Sequence, residues 1–168
     1  MGNLATPEAL IARWDELCRD PSLQDLPYKI ELNAWGKVEL TPRTNRRGLL
    51  VGKLAYELNR QLSGGAAAIS SAVLTTAGIR VPDVIWASTK LMATHEDALL
   101  YPRAPELCIE VCTPDGDEKL PAYLAAGAQE VWLVLEDGSI RYFDGSGEKA
   151  RSGFPLVVTL PPPMDIRR

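Results

Sequence analysis

With 168 residues the chain can fold as one domain that buries roughly 70% of its unfolded surface without disulfide or metal staples, and 46% hydrophobic against 24% charged residues excludes a disordered or fibrous chain. A formal net charge of -4 excludes a protein that coats nucleic acid through bulk charge, so any such contact must be local. Pro, Arg and Asp interrupt every apolar run before the roughly 20 residues a bilayer span needs, while three cysteines and an N-terminus without a basic-then-apolar run point to a reducing, cytoplasmic setting.

Thr6-Pro7-Glu8 predicts a helix start, with a capping hydroxyl, proline in the first turn and an acid beside it. Leu10, Ile11, Trp14, Leu17 and Cys18 supply its apolar face. Tyr28 to Leu32 and Lys37 to Thr41 read as two strands around a turn at 33–36. Three arginines, Arg43, Arg46 and Arg47, follow within five positions, and from Gly48 to about Leu62 apolar residues recur at helical spacing until Ser63-Gly64-Gly65 ends the pattern. Ala67 to Thr75 and Val81 to Ala87 are β-rich, with Pro82 only at a strand's beginning, so Asp83 should lie near a strand end. Residues 88–105 read as irregular. Glu106 to Cys112 is a short apolar run broken by one acid, 117–126 looks helical with Gly127 as its left-handed stop, and Glu130 to Leu135 is a buried strand turning at Asp137-Gly138 into Ile140 to Phe143. The Pro161-Pro162-Pro163 tail reads as extended. Helices separated by strands, some joined by tight turns, predict an α/β domain with a mixed central sheet flanked by helices.

Glu110 is the residue that most needs an explanation, because an ionised carboxylate in a core strand is costly unless a cation accompanies it. Alternation sets Cys108, Glu110 and Cys112 on one face and Ile109 and Val111 on the other, so Glu110 can point away from the main apolar layer. A structural ion pair with a nearby Lys or Arg is the alternative. Asp83, opening a different strand, is the second acid that could converge on the same point, and two carboxylates on neighbouring strands suit Mg2+, with Mn2+ as a substitute. Arg43, Arg46 and Arg47 stand at the N-terminal end of the long helix, where the macrodipole favours anions; a phosphate backbone is the expected partner, and a solvated loop the alternative. His95 offers no basis for a triad or a zinc site, and Cys108 and Cys112 are at strand spacing rather than in a zinc knuckle.

Taken together and in order, the Tyr28 to Pro42 hairpin, Gly78-Ile-Arg-Val-Pro-Asp-Val-Ile-Trp-Ala-Ser88, Pro105-Glu-Leu-Cys-Ile-Glu-Val111, Lys119-Leu-Pro-Ala-Tyr123 and Ala126-Gly-Ala-Gln-Glu-Val-Trp-Leu-Val134 resemble the Uma-two family of restriction-endonuclease-like proteins, within the PD-(D/E)XK nuclease superfamily. The resemblance implies a restriction-endonuclease-like core, Asp83 and Glu110 as metal ligands, and a catalytic lysine. In the wider superfamily that lysine lies two positions after the acid, where this chain has Cys112; in the Uma-like branch it moves to the following helix, which here gives Lys119. Its implied role is to hold the nucleophilic water or to stabilise charge on the phosphate. Glu31 matches an acid of the family hairpin and could support the metal site, contact Lys119 or simply pair across the strands. The chain departs from the family in a shorter segment between Glu110 and Lys119, in Pro121, which could displace Lys119, and in Arg47, where a histidine is common.

The expectation is therefore one nuclease-like domain over 1–168, with an N-terminal helix within 1–22 and a core over 26–160. It would be a Mg2+-dependent endodeoxyribonuclease, acting on DNA as a homodimer without membrane attachment, with Asp83, Glu110 and Lys119 catalytic. The alternative is a nuclease-fold protein that has lost or reduced its activity and binds nucleic acid or a protein partner.

Overall fold

A computed structural model describes residues 2–112 and 117–167. The first helix, α1 (Pro7–Arg19), starts where expected, because the Thr6 hydroxyl accepts from the Ala9 N–H and proline presets the first turn. Its buried stripe of Leu10, Trp14 and Leu17 packs on Leu32 and Ile79. Leu32 belongs to β1 (Tyr28–Asn33), which pairs antiparallel with β2 (Val38–Pro42) to form the expected hairpin. Because side chains alternate along a strand, Lys29 and Glu31 occupy the face of β1 opposite to Leu32.

The long helix, α2, spans Asn45–Gln61 and begins three residues before the predicted start. Its N-cap is Thr44, whose hydroxyl accepts from the Arg47 N–H, so Arg46 and Arg47 lie inside the first helical turn. The apolar periodicity begins only at Leu50, which is why the pattern alone placed the start too late. Beyond α2 come β3 (Gly65–Ala68), β4 (Val73–Thr75), β5 (Gly78–Arg80) and β6 (Val84–Ser88). Gly78 has φ of 105°, and a Cβ there would overlap the Leu32 carbonyl oxygen, so the close pairing of β5 with β1 requires glycine. The stretch predicted as irregular contains a helix, α3 (Thr89–Thr94), capped by Ser88; its six residues are too few to show a period.

Next are β7 (Leu107–Cys112), a 3-10 turn over Asp117–Lys119, α4 (Leu120–Ala125), β8 (Glu130–Leu135), β9 (Ile140–Asp144) and β10 (Gly147–Lys149). The single helix predicted over 117–126 is thus a tight turn followed by a shorter helix, with Pro121 in the first turn of α4, where a missing N–H costs nothing. Gly127, at φ of 110°, is the stop.

The strands form two sheets. One has the order β2-β1-β5-β4 and the other β10-β9-β8-β7-β6-β3. In the larger sheet β7 and β8 run parallel, joined through α4, and the other pairs are antiparallel, which makes it mixed as expected. Leu50, Leu54 and Leu58 of α2 cover one face against Val84, Ile109 and Trp132. Each of these leucines is fully buried and contributes roughly 1.5–3 kcal/mol relative to exposure. Tyr123 of α4 and Leu91 of α3 cover the other face against Ile85, Cys108 and Leu133. The C-terminal tail adds no strand, yet Phe154, Leu156, Val158 and Leu160 pack against the α2 layer. Among the described residues no helix is long and apolar enough to cross a membrane.

Candidate active site

Both faces of β7 are apolar, so Glu110 points not into solvent but to the α4 side of the sheet, on the same face as Cys108. The register that pairs Val84 with Ile109 sets Asp83, one residue before β6, beside Glu110. Asp83 is anchored there because its Oδ2 accepts from the Val111 N–H at 2.7 Å. The two acids converge. Lys29 Nζ lies 2.8 Å from Glu110 Oε2 and 3.2 Å from Asp83 Oδ1, with all three side chains almost wholly removed from solvent. The second oxygen of Glu110 accepts from the Tyr123 hydroxyl at 2.6 Å.

Lys119 also reaches this point. Its Nζ donates to Glu31 Oε2 at 2.6 Å and stands 3.8 Å from Glu110 Oε1. Pro121 therefore does not carry it away; of the shortened segment before it, residues 113–116 lie outside the described residues. Glu31, 1% exposed, accepts from the Val81 N–H at 2.8 Å through its other oxygen. Pairing across the hairpin does not explain it, since its partner on β2 is another acid, Glu39. Arg80 relieves that opposition, with Nη1 2.6 Å from Glu39 Oε2 and 3.8 Å from Glu31 Oε2.

The electrostatics follow from burial. Desolvation, and then the charge of Glu110, push the Asp83 carboxyl up to about 6, against the pull of Lys29, Arg47 and the Val111 N–H. For Glu110 burial acts in the same upward sense, but Lys29, Lys119 and the Tyr123 hydroxyl outweigh it and hold the group below the usual range. For Lys29 burial is opposed and overcome by Glu110, Asp83 and Glu31, so its ammonium is more basic than normal. Burial and the charge of Glu110 raise the Tyr123 phenol well above its ordinary value. The site thus holds proton donors that stay protonated and one acid that remains easy to protonate.

The three arginines divide. Arg43 and Arg47 line a cavity of about 300 Å3 together with Lys29, Asp83, Val51 and Ile69. Arg46 points elsewhere: it donates to the carbonyls of Glu136, Pro161 and Pro162 and ties the tail to the start of α2. A larger cavity of about 490 Å3, around Met92, His95 and Tyr101, contains none of the site acids. His95 is half-buried, edge-on to Tyr101. Burial pushes the Cys108 thiol up, which leaves it a small apolar residue in the α4 layer.

Among the described residues no group of three or more His, Cys, Asp or Glu side chains has the arrangement of a metal site. A soft or tetrahedral centre is not what this donor set offers. The chemistry of the pair Asp83 and Glu110 does fit a hard cation that takes a few carboxylate oxygens and completes its shell with water, and their oxygens already share one cation, the ammonium of Lys29.

The Uma2 family model, described as "Putative restriction endonuclease", matches residues 14–154. The chain belongs to the Uma2 family. Among solved structures, a crystal structure of "a putative nuclease belonging to DUF820" from Anabaena variabilis ATCC 29413 superposes with a TM-score of 0.58 and 19% identity, covering 78% of each chain. At that identity the likeness speaks for the fold, a mixed α/β restriction-endonuclease-like core. No curated protein matches the chain. The matched stretch of this Uma2 protein contains Lys29, Glu31, Asp83, Glu110, Lys119 and Tyr123.

Asp83, Glu110 and Lys119 stand out in the sequence and Glu31 is open to more than one explanation there, whereas Lys29, Arg80 and Tyr123 join the cluster only in the folded structure. A signal existed for two of them. Lys29 shares a strand face with Glu31, and Tyr123 follows Lys119 by four residues, the spacing that puts side chains on one helical face.

Proposed function

We propose that the protein is a Mg2+-dependent endodeoxyribonuclease. The observation that carries the reading is the convergence of Asp83 and Glu110, from different strands, on a single cationic point. These two carboxylates would hold the metal, which when bound polarises a phosphoryl oxygen and makes a coordinated water acidic enough to attack at neutral pH. Mn2+ would substitute.

The chain's own residues supply the rest. Tyr123 fixes the rotamer of Glu110 through its 2.6 Å hydrogen bond and, being hard to ionise, remains a donor. Glu31 holds the Lys119 ammonium beside Glu110, where it can orient the attacking water or stabilise charge that develops on the phosphate. Arg43 and Arg47, on the rim of the cavity beside Asp83, would grip the DNA backbone, helped by the positive end of α2. Arg46 is already committed to backbone carbonyls and would contribute by fixing the helix start. One such site cuts one strand, so duplex cleavage would require a homodimer.

Incubation of purified protein with supercoiled plasmid and Mg2+ or Mn2+ tests the reading. Nicking is expected, and Asp83→Ala or Glu110→Ala should abolish it; equal nicking by the variants would defeat the proposal. A second reading, a nuclease fold that binds nucleic acid without cutting, is favoured by one observation: Lys29 already pairs with both Asp83 and Glu110, and Lys119 stands 3.8 Å from Glu110. It requires DNA binding without nicking and no uptake of Mn2+ in the presence of DNA.

A further inference from the structure

Three acids, Glu31, Asp83 and Glu110, and three bases, Lys29, Arg80 and Lys119, meet in one largely buried cluster. Their side chains are between 1% and 15% exposed, so neither water nor salt screens them well. Glu39, at 42%, lies on the rim and shares Arg80. The six buried groups are neutral as they stand, and Glu39 adds one negative charge at the rim. A divalent ion placed between Asp83 and Glu110 would add two positive charges to a buried site whose acids and bases already balance, next to an ammonium already in contact with both carboxylates. In a poorly hydrated setting that repulsion is large. Binding becomes favourable only if one base leaves.

The three bases differ in their freedom to do so. Arg80 is held by Glu39 and by the Ala77 carbonyl. Lys119 is held by Glu31 at 2.6 Å. The contacts of Lys29 are with the two acids themselves, and its side chain lines the cavity that Arg43 and Arg47 border. A lysine has a flexible four-carbon stem and a point charge without directional demands, so rotation about that stem would carry the ammonium from the carboxylates into the cavity. Three cations would then share the cavity, and an anionic group such as a backbone phosphate would stabilise them.

We propose that Lys29 is an exchangeable internal counter-ion: it occupies the Asp83–Glu110 cation position in the metal-free protein and vacates it for a divalent ion by moving toward a phosphate held in the Arg43–Arg47 cavity. Metal and nucleic acid therefore bind interdependently, and Lys29 is a positioning residue rather than a catalytic one. The inference rests on the metal-dependent reading above and adds an order to it: the protein alone takes up metal poorly, and substrate improves the uptake.

Titration of Mn2+ into the full-length protein, followed by the loss of the free-ion electron paramagnetic resonance signal, tests this without cleavage as the readout. The wild type should bind Mn2+ weakly alone and about tenfold or more tightly with a short DNA oligonucleotide, a coupling of ordinary size; the oligonucleotide's own uptake is subtracted. Lys29→Met should bind Mn2+ tightly without DNA and gain little from it. Lys29→Arg, whose guanidinium can bond both carboxylates, keeps the charge and should bind Mn2+ more weakly than the wild type. If Lys29→Met is too unstable to isolate, the Lys29→Arg comparison decides: equal or tighter uptake overturns the exchange. Lys29→Met binding no tighter than the wild type, with uptake lost in Asp83→Asn, would overturn the exchange and leave the metal site standing. No uptake by any of the proteins, with or without DNA, would remove the metal-dependent reading and the exchange with it.

Discussion

Asp83 is where burial and a like charge together oppose ionisation, and this has a measurable consequence for the metal-free protein. Its carboxyl is raised from 3.8 to about 6, so between those values the folded state holds a proton that the unfolded chain has released. This contribution to stability is complete below pH 4 and is lost as the pH rises through about 6, by roughly 3 kcal/mol. Glu110, with its pKa lowered, contributes in the opposite sense, and Asp83→Asn retains that contribution. Urea denaturation of both proteins in chelator at pH 4.5 and pH 7.5 should show the asparagine variant gaining on the wild type at the higher pH; identical pH profiles would refute the assignment. Tyr123 permits a second test at this scale. Tyr123→Phe keeps the buried ring and deletes the hydroxyl that donates to Glu110. The loss of a hydrogen bond to a charged group should cost about 1.5–3 kcal/mol of stability. An unchanged denaturation midpoint would mean that the bond does not hold Glu110.

The first turn of α2 shows what a sequence pattern conveys about an element and what it omits. Apolar spacing located the helix, but its start depends on one hydroxyl: Thr44 caps the Arg47 N–H and draws residues 45–47 into the helix. Arg46 and Arg47, read with Arg43 as one cluster, are consequently splayed, because successive helical residues project about 100° apart. Arg47 turns to the cavity and Arg46 to the tail. Two variants separate the roles. Arg43→Ala with Arg47→Ala should weaken DNA binding and flatten its dependence on salt by about two phosphate contacts, with little loss of stability. Arg46→Ala should lower the melting temperature by a few degrees, as expected for about 1 kcal/mol in a domain of this size, and leave the salt dependence unchanged. The converse assignment would appear as a change of salt slope with Arg46→Ala alone.

At the scale of the molecule, the site lies where the two sheets meet, and this junction was the part least legible in the sequence. The acids of the larger sheet could be read, because Asp83 and Glu110 interrupt apolar runs that have no use for charge. Lys29 and Glu31 could not be assigned in the same way: on a hairpin strand with one apolar face, two charged residues on the other face look solvated. They are buried because β1 turns that face toward β6 and β7, a matter of tertiary packing between segments some 80 residues apart. The bond between Glu31 and Lys119 ties the smaller sheet to the turn before α4 and can be measured by a double-mutant cycle. Lys119→Met leaves Glu31 buried with the Val81 N–H at 2.8 Å and Arg80 at 3.8 Å, and should cost about 3–5 kcal/mol, the usual penalty for stranding one member of a buried pair. Glu31→Gln in that background removes the stranded charge and should restore part of the loss, giving a coupling of roughly 1–3 kcal/mol by chemical denaturation. If the two changes simply add, the two residues do not act as a pair, and the placement of Lys119 must come from the turn at Asp117–Lys119 and α4 alone.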